Sequence, residues 1–154
     1  MSRNEWNRPR YHFTPPANWM NDPNGLLFDG RQYHLYDQHN PYATVWGHMT
    51  WGHAVSPDLV HWTDLPNAIH EAPERGFTVF SGSAVRDREN TSGLGRTADG
   101  PIVAIYTADY AGPPRLQDVH IAFSNDDGLT FSQYPDNPVI HVGDPKFGDP
   151  KVFW

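Results

Sequence analysis

The aspartate at position 22 has the sequence context best suited to chemistry. It lies in the run Trp19-Met20-Asn21-Asp22-Pro23-Asn24-Gly25. Pro23 restricts the residue before it to extended backbone conformations, and the Asn-Gly pair that follows permits a tight turn. We therefore expect Asp22 to be held rigidly at the mouth of a strand, near Trp19. A rigid carboxylate beside an aromatic surface suits a sugar site, although an Asp-Pro pair before a turn can also serve only to shape the backbone.

A second Asp-Pro pair, Asp149-Pro150, precedes another apolar run 127 positions later. A shorter repeat lies between the two pairs. Ser56-Pro57-Asp58 and Ser124-Asn125-Asp126 each follow an apolar run and precede an aromatic residue, with their serines 68 positions apart. In such turns the Ser and Asp side chains can bond nearby backbone amides. The spacing predicts two copies of one structural unit and the beginning of a third.

Short strands must position these residues. The sequence contains many brief runs between turn residues, and these runs are either apolar or alternate between apolar and polar residues. No segment has apolar residues repeating at the 3.6-residue period of a helix. We therefore predict an all-β chain. The predicted strands are Gly25–Phe28, Gln32–Tyr36, Thr50–Val55, His61–Leu65, Thr78–Val85, Ile102–Tyr106, Val119–Phe123 and Phe131–Tyr134.

Four-stranded units repeating at this interval are typical of β-propeller blades, of which a propeller has about 4–8. Residues 1–154 would form a single domain, an incomplete propeller with about two blades and the first strand of a third. Such a set leaves sheet edges and apolar faces uncovered. We expect further sequence, self-association or a second chain to cover them.

The composition narrows the range of partners. The formal net charge is −7 and no run is rich in lysine or arginine, so a nucleic acid partner is not expected. The chain has no cysteine, no apolar run as long as a membrane span and no apolar signal core at its N-terminus. We therefore expect no membrane partner and a cytoplasmic location, unless the sequence is a segment cut from a larger protein.

The nine histidines raise the question of a metal site. His34 and His39 are five positions apart, as are His48 and His53. On strands an odd spacing places two side chains on opposite faces, which is poor geometry for metal ligands. We predict hydrogen-bonded core or cross-strand histidines, with no metal and no cofactor.

The run around Asp22 resembles the signature of glycoside hydrolase family 32, which includes invertases, inulinases and levanases. Further motifs similar to those of the family occur in family order along nearly the whole chain. They are Arg8-Pro9, Tyr11-His12-Phe13-Thr14-Pro15-Pro16, Asn40-Pro41, Trp46-Gly47-His48, Trp51-Gly52-His53-Ala54, Asp58-Leu59-Val60-His61-Trp62, Phe80-Ser81-Gly82-Ser83-Ala84, Asn90-Thr91-Ser92-Gly93 and Asp149-Pro150-Lys151-Val152-Phe153-Trp154. The resemblance implies the N-terminal part of a five-bladed catalytic propeller.

The resemblance also implies that Asp22 is the nucleophile that attacks the anomeric carbon of a fructoside. Retaining glycosidases pair this carboxylate with an acid/base carboxyl about 5–5.5 Å away. In the family, the acid/base is a glutamate in a Glu-Cys motif well beyond the position of Asp149. The glutamates of this chain have no such context, so none is assigned that role; they are Glu5, Glu71, Glu74 and Glu89.

Asp149 matches the family residue that stabilises the transition state through fructose hydroxyls, in an Arg-Asp-Pro motif. Here Gly148 occupies the position of the arginine. Arginine offers a planar fork of donors and glycine has no side chain, so we expect weaker sugar binding than is usual in the family.

Other positions match residues that contact the sugar in the family or lie close to them. Gln38 matches a glutamine that bonds fructose, and Asn21 can donate from its amide. Trp46 offers an apolar face and an indole N–H. The remaining members of this predicted substrate-binding set are Trp19, Phe80 and Ser81.

Several functions stay open at this point. The first is retaining hydrolysis of fructosides such as sucrose, inulin, levan or fructooligosaccharides. Fructosyl transfer would use the same site with a sugar as acceptor. A non-catalytic fructoside-binding module would keep Asp22 and Trp46 without the acid, and a structural remnant would not bind sugars.

Overall fold

The computed structural model describes residues 6–154 and confirms the all-β prediction. The described strands form two four-stranded antiparallel sheets, and within each sheet the strands follow one another in chain order. A 3₁₀ turn, Pro73–Arg75, connects the two sheets. The strands are β1 (Trp19–Phe28), β2 (Tyr33–Asn40), β3 (Thr50–Ser56), β4 (Thr63–Ile69), β5 (Phe77–Arg86), β6 (Ile102–Tyr110), β7 (Leu116–Ser124) and β8 (Ser132–Gln133). Within residues 6–154, no helix has the length and apolarity that crossing a bilayer requires.

Every predicted strand overlaps an observed one, and the largest difference is in β1. This strand begins at Trp19 rather than Gly25, so Asp22 lies inside it and not at its mouth. The pairing of β1 with β2 shifts register on both sides of Pro23. Proline is tolerated there because β1 is an edge strand, where the missing N–H costs no ladder bond.

The repeated Ser-x-Asp turns occupy the same place in both sheets, between the third and fourth strands. Ser56 Oγ accepts hydrogen bonds from the amides of Asp58 and Leu59, at 3.2 and 2.8 Å. Ser124 Oγ accepts from the amides of Asp126 and Gly128, at 3.3 and 2.8 Å. The predicted repeat is therefore confirmed, and its serines and aspartates serve the turns.

The segment predicted to begin a third blade lies beside β5 without strand pairing. Ser83 Oγ donates to the carbonyl of Pro150 at 2.9 Å and accepts from the amide of Val152 at 3.0 Å. A strand also needs a backbone ladder with a neighbour, and the described part of the chain provides none for residues 149–154.

Buried aromatic side chains join the two sheets. Trp51 and Tyr36 are fully buried, and each donates a hydrogen bond to the backbone of the second sheet. The Trp51 indole bonds the carbonyl of Phe80 at 3.0 Å, and the Tyr36 hydroxyl bonds that of Gly128 at 3.1 Å. Gly25 permits this packing, since its φ is +53° and a Cβ there would lie 2.6 Å from the Tyr36 ring.

Asp37 is a buried carboxyl on β2 that faces the space left by Gly52. A Cβ on Gly52 would lie 2.6 Å from Asp37 Oδ1, and Asp37 Oδ2 has no hydrogen-bond partner among the described residues. Burial, together with the charge of Asp64, raises the pKa of Asp37 to about 7. The carboxyl is therefore held in its neutral form up to near-neutral pH.

We expect Asp37→Asn to remove a pH dependence of stability. Between about pH 4 and 7 the folded state keeps a proton that the unfolded state, with a pKa near 3.9, has lost. The wild-type free energy of unfolding should therefore fall relative to the variant as pH rises, by about 3 kcal/mol across that window at ~1.4 kcal/mol per pKa unit. Chemical denaturation at several pH values measures the difference.

Two buried histidines also make stability depend on pH, and comparing the variant with wild type separates the effect of Asp37 from theirs. Burial lowers the pKa of His53 to about 3 and that of His120 to about 4, which makes acid destabilising in both proteins. Asp136→Asn changes an exposed carboxyl and serves as the control. A constant difference between Asp37→Asn and wild type at all pH values would contradict the prediction.

Candidate active site

The carboxylate of Asp22 is exposed at the junction between β1 and β5. Ser81 on β5 donates its hydroxyl proton to Asp22 Oδ2 at 2.7 Å. The pairing of β5 with β6 shifts register between Val79 and Gly82, as that of β1 shifts around Pro23. Such bulges turn side chains away from regular alternation. Both partners of this hydrogen bond therefore lie in bulged segments of the two strands.

A chain of side-chain amides lies beside Asp22. The Trp19 indole donates to Asn21 Oδ1 at 2.7 Å, and Asn21 Nδ2 donates to Gln38 Oε1 at 3.4 Å. Gln38 Nε2 in turn donates to the carbonyl of Val79 at 3.1 Å. Gln38 is only 3% exposed, so it lies behind Asn21 and fixes the orientation of the Asn21 amide.

An aromatic wall flanks the same region. Trp46 is 55% exposed, and its ring meets that of Phe80 edge to face at a centroid distance of 5.9 Å. The loop that carries Trp46 connects β2 to β3 and is held by Asn40. The side chain of Asn40 donates to the carbonyl of Val45 at 2.8 Å and accepts from the amide of Tyr42 at 3.0 Å.

Asn24, Asn40 and Thr107 support the site and were not predicted from the sequence. Asn24 is buried, and its Oδ1 accepts the amide of Gly82 at 3.1 Å, directly beside Ser81. Thr107 Oγ1 accepts the amide of Asp149 at 2.8 Å. Asn24 lies in the same motif as Asp22, and Asn40 in the neighbouring Asn40-Pro41 motif, but only the fold shows what they bond.

Asp149 is exposed, and its segment is bonded to β5 and β6. Its backbone φ is +55°, in the left-handed region that non-glycine residues seldom adopt. The Thr107 hydroxyl and the bond between Ser83 and the Pro150 carbonyl hold the segment in place. Both segments that carry the predicted catalytic aspartates are therefore bonded to β5, through Ser81 and Ser83, and no hydrogen bond joins Asp22 to Asp149.

Comparison with known proteins decides the family. Residues 12–154 match the sequence model described as the glycosyl hydrolases family 32 N-terminal domain. The chain belongs to glycoside hydrolase family 32. It is 54% identical to a levanase of Bacillus subtilis over 148 residues, which cover 96% of this chain and 21% of the levanase. It is 52% identical to an invertase of Schwanniomyces occidentalis, with 97% of this chain and 28% of the invertase covered.

Solved structures of the family confirm the predicted partial propeller. A fructofuranosidase of Schwanniomyces occidentalis complexed with fructose aligns with a TM-score of 0.90 and 50% identity, covering 97% of this chain and 30% of that enzyme. An exo-inulinase of Aspergillus awamori aligns with a TM-score of 0.83 and 44% identity, covering 91% and 30% respectively. The chain thus spans less than a third of the length of these relatives.

Described glutamates do not contact Asp22. Glu71 Oε1 bonds His48 Nδ1 at 2.9 Å, and Glu74 and Glu89 are exposed. Glu5 lies outside the described residues. The structure therefore brings Asp22, the predicted nucleophile, together with Ser81, and no second described carboxyl is bonded to either.

The histidine prediction holds for the core. His34 contacts His53 at 3.1 Å and Asp29 at 3.1 Å, across neighbouring strands. His48 instead bonds Glu71 at an exposed loop. Among the described residues no group of three or more histidine or acidic side chains could hold a metal ion.

Gly148 has little room for a side chain. A Cβ at this position would lie 2.8 Å from Thr107 Oγ1 and 3.0 Å from its methyl group. Any side chain at position 148 must therefore displace the threonine that bonds the Asp149 amide.

We expect Gly148→Ala to lower the free energy of unfolding by about 1–3 kcal/mol, the usual cost of overpacking. Gly112→Ala is the matched control, since the nearest atom to a Cβ at Gly112 is 4.0 Å away. Chemical denaturation of both variants measures the difference. Equal stability of the two variants would mean that the Thr107 contact is easily relieved, and Gly148→Arg would then become a clean test of the missing guanidinium.

Proposed function

We propose that this chain carries the nucleophile of a β-fructofuranosidase-type retaining glycosidase. The observation that supports the proposal is the Asp22 carboxylate, exposed between two sheets and oriented by the Ser81 hydroxyl at 2.7 Å, beside the wall formed by Trp46 and Phe80. A carboxylate so oriented is ready to attack, while the aromatic faces cover the apolar side of a sugar ring.

In the proposed reaction, Asp22 attacks the anomeric carbon of a terminal fructosyl unit and the glycosidic oxygen leaves. The bond to the leaving oxygen breaks as the bond to Asp22 forms, through an oxocarbenium-like state. Asp149 stabilises this state through fructose hydroxyls. Water then releases fructose. The reaction also needs an acid/base carboxyl to protonate the leaving oxygen, and no described glutamate is bonded to Asp22.

The proposed substrates are neutral saccharides that end in fructose. The relatives are described as a levanase, an invertase and an exo-inulinase, and one related structure contains fructosylnystose. Trp46, Phe80 and the Asn21 amide could bind such a sugar without any charge on it. Fructosyl transfer shares the same covalent intermediate and would differ only in the acceptor.

A second function is favoured by a separate observation. Since no described glutamate contacts Asp22 and Gly148 supplies no guanidinium, the chain could bind fructosides without cleaving them. Self-association, a second chain that completes the propeller and a cytoplasmic location stay predictions.

An activated fructoside tests the nucleophile independently of the acid. p-Nitrophenyl β-fructofuranoside has a leaving group that needs no protonation, so Asp22 should release nitrophenolate from it even where no general acid is present. We expect Asp22→Asn to lower this release by at least about 10³-fold, because it removes the attacking group. Asp144→Asn, another Asp-Pro aspartate, is the control and should leave the rate unchanged.

The covalent intermediate offers a direct readout. Without an acid/base residue to activate water, the fructosyl adduct should accumulate and be found by mass spectrometry on the peptide that contains Asp22. Release that persists in Asp22→Asn would contradict the role of Asp22. Fructose binding without any release or adduct would instead favour the binding module.

A further inference from the structure

The hairpins that connect the second and third strands of each sheet lie at the same end of the molecule. Trp19, the first residue of β1, pairs with Asn40 at the end of β2, and Phe77, the first residue of β5, pairs with Tyr110 at the end of β6. Residues 41–49 and 111–115 therefore occupy equivalent positions beside the site. The first hairpin contributes Trp46, and the second contains Arg115.

The guanidinium of Arg115 is fixed by a buried carboxylate. Its Nε and Nη2 lie 2.8 and 2.7 Å from Oδ1 of Asp109, whose side chain is only 6% exposed. Gln117 Nε2 donates to the same oxygen at 2.9 Å. Arg115 itself is about half exposed, so one edge of its guanidinium faces the protein and the other remains available.

Arg115 also covers the aromatic wall. Its Cζ lies 5.6 Å from the centroid of the Phe80 ring, which Trp46 contacts at 5.9 Å. Phe80 precedes Ser81, the residue that bonds Asp22. Arg115 is therefore linked to Asp22 through the Phe80 ring and the next residue in the chain, Ser81.

The same cluster adjoins the Asp149 segment. A Cβ on Gly148 would lie 3.3 Å from Oε1 of Gln117, the residue that shares Asp109 with Arg115. Arg115 Nη1 has no hydrogen-bond partner among residues 6–154. A charged, oriented donor thus lies between the segments that carry the two aspartates, with hydrogens free for a ligand.

We propose that Arg115 is a sugar-binding residue of this site, whose Nη1 donates to hydroxyl oxygens of a bound fructosyl unit. This inference rests on the proposed function. Arginine suits the role because its planar fork stays charged at all relevant pH values and loses little freedom on binding when it is already held by Asp109. The neighbouring hairpin would then provide the guanidinium that Gly148 does not.

The test follows fructose binding by NMR in the purified chain labelled with ¹⁵N. The Arg115 Nε–Hε signal is assigned as the one lost in Arg115→Lys. Fructose should shift this signal together with the indole signals of Trp19 and Trp46, and glucose at equal concentration should not. A purely structural arginine would not respond selectively to the sugar.

Affinity provides the second readout. We expect Arg115→Lys to weaken fructose binding about tenfold, since lysine keeps the charge but loses the planar fork of donors. Arg115→Ala should weaken it further if its circular dichroism shows that it folds. Arg31→Ala removes the same charge from the exposed turn at the opposite end of β1 and should leave the affinity unchanged.

The outcomes separate this inference from the function on which it rests. Shifts of the tryptophan signals without movement of Arg115, or unchanged affinity in Arg115→Lys, would overturn the role of Arg115 and leave the fructoside site standing. No response of any signal to fructose would overturn both.

Discussion

The contact of β1 with β5, where the two sheets meet, is the interaction on which the described site depends. Backbone polar groups in and beside the bulge of β5 are bonded by side chains of the first sheet. Asn24 accepts the amide of Gly82, Gln38 donates to the carbonyl of Val79, and Trp51 donates to that of Phe80. Buried backbone groups need hydrogen-bond partners, so these side chains fix the position of β5 against the first sheet. The Ser81 hydroxyl reaches Asp22 as a consequence.

The two aspartates are held by different physical means. Asp22 is oriented by a side-chain hydrogen bond on a bulged strand. Asp149 depends on a left-handed backbone conformation, which is usually retained only where surrounding contacts enforce it. Thr107 bonds the Asp149 amide and Ser83 bonds the carbonyl of the next residue, Pro150, and both lie on the second sheet. The geometry of Asp149 is thus the more sensitive of the two to changes in packing, and a side chain at Gly148 would press on Thr107, which bonds the Asp149 amide.

Most of the fold was predictable because its signals are local. Alternating runs located all the strands, and the repeated Ser-x-Asp turn revealed the two units, since each depends on residues near one another in sequence. The start of β1 was missed because Pro23 suggests a turn, and only the pairing with β2 shows a bulged edge strand.

The site was predictable only in part. Asp22, Trp46 and Ser81 follow from motifs that resemble those of the family, and the structure places them around one junction. Gln38 is buried and bonds Asn21 and the carbonyl of Val79, and its contact with the sugar stays a prediction. The ion pair of Arg115 with Asp109 could not be predicted from the sequence. Residue spacing shows neither that the Asp109 side chain is buried nor that the Arg115 guanidinium lies over the Phe80 ring.

The chain-order topology of the sheets has a consequence for folding. Each sheet is a meander whose strands pair with their sequence neighbours, so its contacts can form early and at little entropic cost. The bond between Ser81 and Asp22 joins residues 59 positions apart and requires both meanders to be complete. Asp22 therefore acquires its orientation only when the two sheets dock, and a chain with both sheets formed but undocked would retain its secondary structure and lack an ordered site.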